Sequence, residues 1–313
     1  MAKGNNYGLQ TRDMAKAGTF AANNAARNGS MSYASAATVS ERWQHFAAYA
    51  KEEGRQRLEG VTAQLVAAYG QIIAARVSAG DLSAAYGQNL VSAVNTVMTL
   101  ATKGQWQSVS PTKDCGIAKR SNLRIEIPQG LDRKSVNTVT NVMYSNGQER
   151  GAVIVELARE LGLRSKESSL IDAKGTLKQA LERGVVSITH GTKGGRSREV
   201  PILKQSQLAT LQRAADLQKN ARSLVPPEQT WAQWREGGLR AARETIQQHN
   251  INRLHELRAA YAVERYQQIT GQLPTAMGGS ASREADRSAR LVIAQELGHS
   301  RIGIMTAYLG GVR

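Results

Sequence analysis

The chain has 313 residues, enough for two domains at roughly 150 residues per domain. Lysine and arginine number 41 against 25 aspartates and glutamates, a formal charge of +16 that favours a polyanionic partner, because each neutralised phosphate releases counterions. No apolar run approaches the ~18 residues of a membrane span, and the first residues lack the apolar stretch of a secretory signal. We therefore expect a cytoplasmic protein that does not act at a membrane. The single cysteine, Cys115, excludes an intrachain disulfide.

The first part of the chain predicts an arm and then a helical domain. Residues 1–32 are rich in Asn, Ala, Gly and Ser without periodicity, which predicts a flexible N-terminal arm with at most one short helix. Residues 33–106 repeat apolar side chains at helical spacing, as in Trp43, Phe46, Ala47 and Ala50. Thr38 and Glu41 form a capping-box pattern ahead of them. These features predict a compact helical domain.

The second part predicts a linker and a mixed domain. Residues 107–134 hold two prolines and several cations but no helical period, which predicts a basic linker, either solvated or lying along a phosphate backbone. Residues 135–313 are mostly helical. Val185, Val186 and Ile188 predict a strand that returns through Val200 after a turn at Gly194 and Gly195. The fold class is therefore mainly α (α+β), with a small antiparallel sheet.

Six polar side chains stand at or near the ends of the predicted elements of residues 135–313: Arg164, Lys193, His255, Arg258, His299 and Tyr308. Taken singly, each has an ordinary structural reading, such as a helix cap, a solvated turn or a core aromatic. Together they suit phosphoryl transfer. Two guanidiniums grip a phosphodiester and stabilise added negative charge, a tyrosine hydroxyl is a nucleophile, and lysine and histidine move protons. No metal or other cofactor is required by this set, and no carboxylate cluster of the two-metal kind accompanies it.

The motifs around these residues resemble the tyrosine recombinase (phage integrase) family. GLRSKE at 162–167 is similar to the family's first arginine box, and THGTKGGRSREVPI at 189–202 to its hairpin lysine segment. HELR at 255–258 is similar to the His-x-x-Arg box. LGHSRIGIMTAYL at 297–309 is similar to the Leu-Gly-His box, with a tyrosine nine positions after the histidine. The order of the boxes is also the family's order.

The resemblance implies a fold and an assembly. Residues 33–106 would be a SAM-like, core-binding DNA-binding domain and residues 135–313 the catalytic domain, the two forming a clamp around double-stranded DNA. A homo-tetramer would act on two DNA sites, with accessory DNA-bending proteins as further partners. The protein would be an integrase of a mobile element, in the cytoplasm and associated with the bacterial nucleoid.

The resemblance also implies residue roles. Arg164 and Arg258 would bind the scissile phosphate, and Tyr308 would attack it to form a 3′-phosphotyrosyl intermediate. Lys193 would protonate the leaving 5′ oxygen. Both histidines would assist proton transfer, and Glu167 would support the site by orienting His255 or Arg164.

Three departures from the family pattern and two alternative functions accompany this reading. Ala259 follows Arg258, where many relatives carry a second histidine. The basic stretch from Trp231 to His249 is long enough to be an insertion relative to the family. Five residues follow Tyr308 in the sequence, where many relatives have a further helix. A tyrosine so near the end suggests a loosely held element that moves into and out of the site. The alternatives are a type IB topoisomerase-like DNA relaxer and a non-catalytic DNA-binding regulator with a degenerate site. Candidate phosphate contacts, weighed against ordinary solvated charge, are Lys113, Lys119, Arg120, Arg124, Arg196 and Arg198.

Overall fold

The computed structural model describes residues 5–311, and the chain divides into two compact units, Met1–Ser121 and Asn122–Arg313. Both are helical, and the second adds a two-stranded antiparallel sheet, which confirms the predicted fold class. Within residues 5–311, no helix has the length and apolarity that a bilayer crossing requires.

The first unit, over its described residues, packs four α-helices around a main apolar core and a small alanine cluster. Trp43, Phe46, Val94 and Met98 lie at its centre and are fully buried. The predicted cap at Thr38 is wrong, because the helix already begins at Tyr33, where the Ser32 side chain accepts from the Ser35 N–H. The helices are α1 (Met14–Arg27), α2 (Tyr33–Glu52), α3 (Ala63–Ser78) and α4 (Ala84–Ala101).

Helix α1 lies where the sequence predicted a flexible arm, of which residues 1–4 lie outside the described residues. Its composition is poor in large apolar side chains, so periodicity gave little signal. It packs instead through small residues: a Cβ on Gly18 would lie 2.1 Å from the Trp43 ring nitrogen. That indole N–H donates to the Met14 carbonyl at 3.1 Å. Helix α1 is thus part of the first unit's core.

The predicted linker at residues 107–134 is divided between the two units. Val109, Cys115 and Ile117 are buried in the core of the first unit. Arg124 belongs to the second unit, where its backbone N–H donates to the Thr306 carbonyl at 3.0 Å.

The second unit surrounds a buried helix with the other helices and the hairpin. Arg258, Ala259, Ala260 and Ala262 of that helix, α12, are fully buried, so α12 forms the centre of the unit. The helices are α5 (Arg133–Ser145), α6 (Glu149–Leu161), α7 (Ser165–Leu170), α8 (Ala173–Arg183), α9 (Gln205–Gln218), α10 (Trp231–Glu236), α11 (Gly238–Gln248), α12 (Leu254–Thr270), α13 (Arg283–Glu296) and α14 (Thr306–Leu309).

The sheet pairs β1 (Val185–Ile188) with β2 (Arg198–Pro201), with Val186 opposite Val200 and Ile188 opposite Arg198. The predicted tight turn at Gly194 and Gly195 is instead part of a longer loop, which contains a 3-10 turn at Lys193–Gly195. Gly191, with φ +71°, lies so close to α7 that a Cβ would come within 2.7 Å of the Lys166 carbonyl oxygen. The loop that carries Lys193 is therefore seated against the start of α7.

The Gly18 contact provides a test of α1. We expect Gly18→Leu to lower the free energy of unfolding by about 1–3 kcal/mol, because the added side chain overpacks the Trp43 indole. The matched control is Asn24→Leu on the exposed face of the same helix, which should be close to neutral. Urea denaturation followed by tryptophan fluorescence measures both. Equal effects would contradict the packing of α1 in the core.

Candidate active site

Five of the six predicted polar residues meet in one cluster of the second unit. The Tyr308 hydroxyl accepts a hydrogen bond from the Arg258 Nε–H at 3.2 Å and lies 3.2 Å from His299 Nε2. The His255 ring centroid is 5.1 Å from that of Tyr308 on another side. Arg164 joins the cluster through a carboxylate and a carbonyl that it shares with Arg258.

Arg258 is the most deeply placed of these residues. Its side chain is fully buried on α12, and its two terminal nitrogens donate to the Gly162 and Leu297 carbonyls. Burial lowers its pKa to about 10, which still leaves it charged at neutral pH. Gly162 has φ +61°, and a Cβ there would meet Tyr261 at 2.7 Å, so glycine is needed at the end of α6.

Glu167 is a buried carboxylate surrounded by guanidiniums. Its oxygens accept from Arg198 at 2.8 and 2.6 Å and from the Arg164 side chain at 2.7 Å, and Arg258 lies 3.7 Å away. Burial raises the pKa of Glu167, but the hydrogen bond and charge of Arg198, followed by the Arg164 backbone N–H and Arg258, lower it to about 2. Of the two residues that Glu167 was predicted to orient, it contacts Arg164.

Besides the Glu167 carboxylate, the backbone carbonyls at the C-terminal end of α13 accept hydrogen bonds from the arginines of the site. The last carbonyls of a helix have no partner within the helix and carry its negative dipole end. Here the Glu296 carbonyl accepts from Arg198 at 2.8 Å, and the Leu297 carbonyl accepts from Arg258 and, at 3.5 Å, from Arg164. Gly298, with φ +68°, then reverses the chain, and the His299 N–H donates back to the Ala294 carbonyl at 2.8 Å. This turn places His299 beside Tyr308.

The element that carries Tyr308 is firmly anchored, which corrects the expectation of a loosely held segment. Arg124 donates to the Ala307 carbonyl at 3.2 Å, and Arg290 donates to the Gly310 carbonyl at 2.9 Å. Tyr308 itself is 3% exposed, and its neighbour Leu309 is fully buried. Of the five residues that follow Tyr308, the last two lie outside the described residues.

Both histidines of the cluster are neutral at physiological pH. Burial, and then the charges of Arg258 and Arg164, lower the pKa of His299 to about 4. Partial withdrawal from water, and then the charge of Arg258, lower the pKa of His255 to about 4. A neutral imidazole has a free acceptor nitrogen, so either ring can receive a proton.

Lys193 stands apart from the cluster. It lies exposed in the loop between β1 and β2, and among residues 5–311 no hydrogen bond or ion pair joins it to the other five side chains. The loop is held at both ends, by Gly191 against α7 and by Arg198 at Glu167.

Two of the candidate phosphate contacts are corrected by burial. Arg198 is 7% exposed and bonded to Glu167, and Arg124 forms two hydrogen bonds, at 2.9 and 3.0 Å, to the carboxylate of Glu256. Sequence could not separate them from exposed cations, because their partners lie far along the chain. The remaining candidates keep exposed side chains and stay predictions: Lys113, Lys119, Arg120 and Arg196.

The low pKa of His299 predicts a pH-dependent stability. The unfolded chain takes up this proton near pH 6.5 and the folded protein near pH 4, so His299 contributes a loss of folding stability as the pH falls between these values. We expect His299→Asn to lose less stability than the wild type over that range and to differ little in slope above pH 7.5. His190→Asn, at an exposed histidine of the same unit, is the control. Thermal melts at a series of pH values test this, and parallel slopes for wild type and His299→Asn would contradict it.

The family comparison matches residues 123–264, within the second unit, to the Integrase family. No curated protein matches the sequence.

Solved structures share the fold at low identity. A structure of the XerH site-specific recombinase bound to palindromic difH substrate, a post-cleavage complex, is 16% identical with a TM-score of 0.58, covering 94% of this chain and 80% of that one. The Tn1549 transposon integrase (residues 82–397) in complex with circular intermediate DNA is 12% identical with a TM-score of 0.58, covering 94% and 96%. Residues 123–264 are thus similar to the Integrase family, and the chain shares its fold with these two solved structures.

Proposed function

We propose that this protein is a site-specific DNA recombinase that cuts and rejoins duplex DNA through a 3′-phosphotyrosyl intermediate. The observation that carries the proposal is the Tyr308 hydroxyl, which lies 3.2 Å from both Arg258 Nε and His299 Nε2. A nucleophile, a phosphate-binding cation and a proton acceptor thus meet at one oxygen.

The proposed cleavage step uses each of these groups. The Tyr308 oxygen forms a bond to the phosphorus of the scissile phosphodiester, and the bond from phosphorus to the 5′ oxygen breaks. The tyrosine proton passes to the neutral His299 ring, and Lys193 gives a proton to the departing 5′ oxygen. In this proposal the lysine acts from the exposed loop between β1 and β2. Attack by a free 5′ hydroxyl on the phosphotyrosyl bond reverses the step, so that strand exchange needs no external energy source.

The charge balance of the cluster supports phosphate as the substrate group. Arg164, Arg198 and Arg258 converge on the single carboxylate of Glu167 while both histidines are neutral, which leaves an excess of two positive charges. A phosphodiester carries one negative charge, and its pentacoordinate transition state carries two. Cations fixed in advance stabilise the doubly charged transition state more than the singly charged ground state, which is the condition for catalysis.

The free site holds its own nucleophile against Arg258. Each nitrogen of that guanidinium already makes one hydrogen bond, to Tyr308 or to the Gly162 and Leu297 carbonyls. Because Nε has a single N–H, a phosphate oxygen that binds there takes the place of the tyrosine hydroxyl as the substrate enters. Arg164, whose side chain is 26% exposed, is the arginine first reached from solvent.

The proposed partner is double-stranded DNA, bound as a homo-tetramer on two sites with accessory DNA-bending proteins, in the cytoplasm at the nucleoid. The XerH and Tn1549 structures are complexes with DNA, and the charge of +16 favours the same partner here. A role in integrating and excising a mobile element fits this activity.

The tyrosine assignment is tested with Tyr308→Phe. A pool of nicked duplexes randomised over the cleavage region is incubated with protein, and covalent adducts are separated by denaturing electrophoresis. We expect wild-type protein to form an adduct, with or without a chelator, and Tyr308→Phe to form none while duplex binding persists. Removing the hydroxyl removes the atom that attacks phosphorus.

The control is Tyr144→Phe, which deletes a tyrosine hydroxyl that bonds Glu156 in the same unit. It should react as the wild type does. An adduct that survives Tyr308→Phe would refute the assignment. Duplex binding without any wild-type adduct would favour a regulator.

The lysine assignment is tested with Lys193→Ala and two leaving groups. We expect a loss of cleavage rate of roughly 10²–10⁴-fold on the ordinary substrate, the contribution typical of a general acid. On a substrate whose bridging 5′ oxygen is replaced by sulfur, the loss should nearly vanish, since a thiolate leaves without a proton. Arg196→Ala, on the same loop, should show no such leaving-group dependence. An equal loss for Lys193→Ala on both substrates would assign the lysine another role.

A further inference from the structure

Arg198 is a buried arginine on the hairpin that carries Lys193. Its Nε–H donates to the Glu296 carbonyl at 2.8 Å, and its two terminal nitrogens donate to the two oxygens of Glu167. All three nitrogens are bonded to protein, and the side chain is 3% exposed. Arg198 is therefore buried against protein acceptors and is not a surface cation.

The carboxylate that Arg198 holds is the one that orients Arg164. One Glu167 oxygen accepts from the Arg164 side chain at 2.7 Å, and the other accepts from the Arg164 backbone N–H at 2.7 Å. A guanidinium bonded to both oxygens of a carboxylate fixes its plane. Because the same two oxygens serve Arg164, the plane set by Arg198 determines the direction of the Arg164 guanidinium.

A second link runs from Arg198 to the turn that precedes His299. The Glu296 carbonyl that it binds is adjacent to the Leu297 carbonyl, which accepts from Arg258. A Cβ on Gly298 would lie 3.0 Å from Arg198 Cδ, so that this turn packs directly on the arginine stem. Arg198 thus supports the Arg164 box and the His299 turn together.

We propose that Arg198 is a positioning residue for the scissile phosphate. It acts through Glu167 on Arg164 and through Glu296 on the carbonyl that holds Arg258, and it never contacts DNA. The inference rests on the proposed function. Under this proposal the hairpin contributes in two ways: its loop carries Lys193, and its strand β2 carries Arg198, which positions Arg164 and Arg258.

The test compares cleavage rates for Arg198→Lys with a charged and a neutral scissile phosphate. Lysine keeps the charge but cannot bond both carboxylate oxygens and the Glu296 carbonyl in one plane. We expect duplex binding close to wild type and adduct formation slower by roughly 100-fold, the scale set by a misplacement of about 1 Å. The probe is the nicked duplex recovered as an adduct with wild-type protein.

A methylphosphonate at the scissile position separates positioning from general destabilisation. This group carries no negative charge and so places less demand on Arg164. If Arg198 acts by aiming that charge, the defect of Arg198→Lys shrinks on the methylphosphonate, as does the defect of Arg164→Ala. In an Arg164→Ala background, Arg198→Lys should add little, since both changes remove one function.

The matched control is Arg159→Lys. Arg159 is equally buried in the second unit and donates to the Gly130 and Leu131 carbonyls and to Glu264, away from the site. Arg159→Lys therefore measures how much folding stability and cleavage rate change when a buried arginine away from the site is replaced by lysine. If thermal melts show that Arg198→Lys does not fold, Arg198→Gln replaces it in the same comparison.

The outcomes distinguish the two proposals. A wild-type adduct together with an unimpaired Arg198→Lys overturns the inference and leaves the proposed function standing. Equal defects on both phosphates, or a defect that multiplies with that of Arg164→Ala, show a structural role alone and also overturn it. Absence of a wild-type adduct in every arm overturns the proposed function, and the inference with it.

Discussion

The second unit depends on one buried carboxylate among three guanidiniums. Glu167 lies between Arg164, Arg198 and Arg258, and without it three positive charges would converge beside the end of α13 with no carboxylate bonded to them. Removing one partner of a buried ion pair costs about 3–5 kcal/mol. A single carboxylate balances one of the three charges. The cluster therefore carries a net positive charge.

Backbone carbonyls accept further hydrogen bonds from the buried arginines of the second unit. Arg258 is held by the Gly162 and Leu297 carbonyls, and the tyrosine element is held through its own carbonyls by Arg124 and Arg290. Because these arginines bond to backbone carbonyls, their positions are set by the ends of helices and not by other side chains. The same arrangement limits how far Tyr308 moves.

The elements were predictable where large apolar side chains repeat and less so elsewhere. The large apolar residues Trp43 and Phe46 made α2 predictable from its helical spacing. Helix α1 packs through Gly18 and alanines, and such small residues give only a weak pattern of hydrophobic periodicity. The true cap, Ser32, lies six positions before the predicted cap at Thr38, and sequence alone could not choose between them because serine and threonine are both favoured at helix caps. The hairpin strands were found, while their connection proved to be a longer loop than its two glycines suggested.

The sequence by itself determined the set and order of chemical groups: two arginines, a lysine, two histidines and a tyrosine. The fold decided which cations face a ligand and which serve the protein. Arg196 and Arg198 are alike in sequence, yet one is exposed and the other is buried on Glu167. The physical reason is that an arginine's role depends on the carboxylate or carbonyl that the fold brings to it. For Arg198 those partners lie 31 and 98 positions away, beyond the reach of any local pattern.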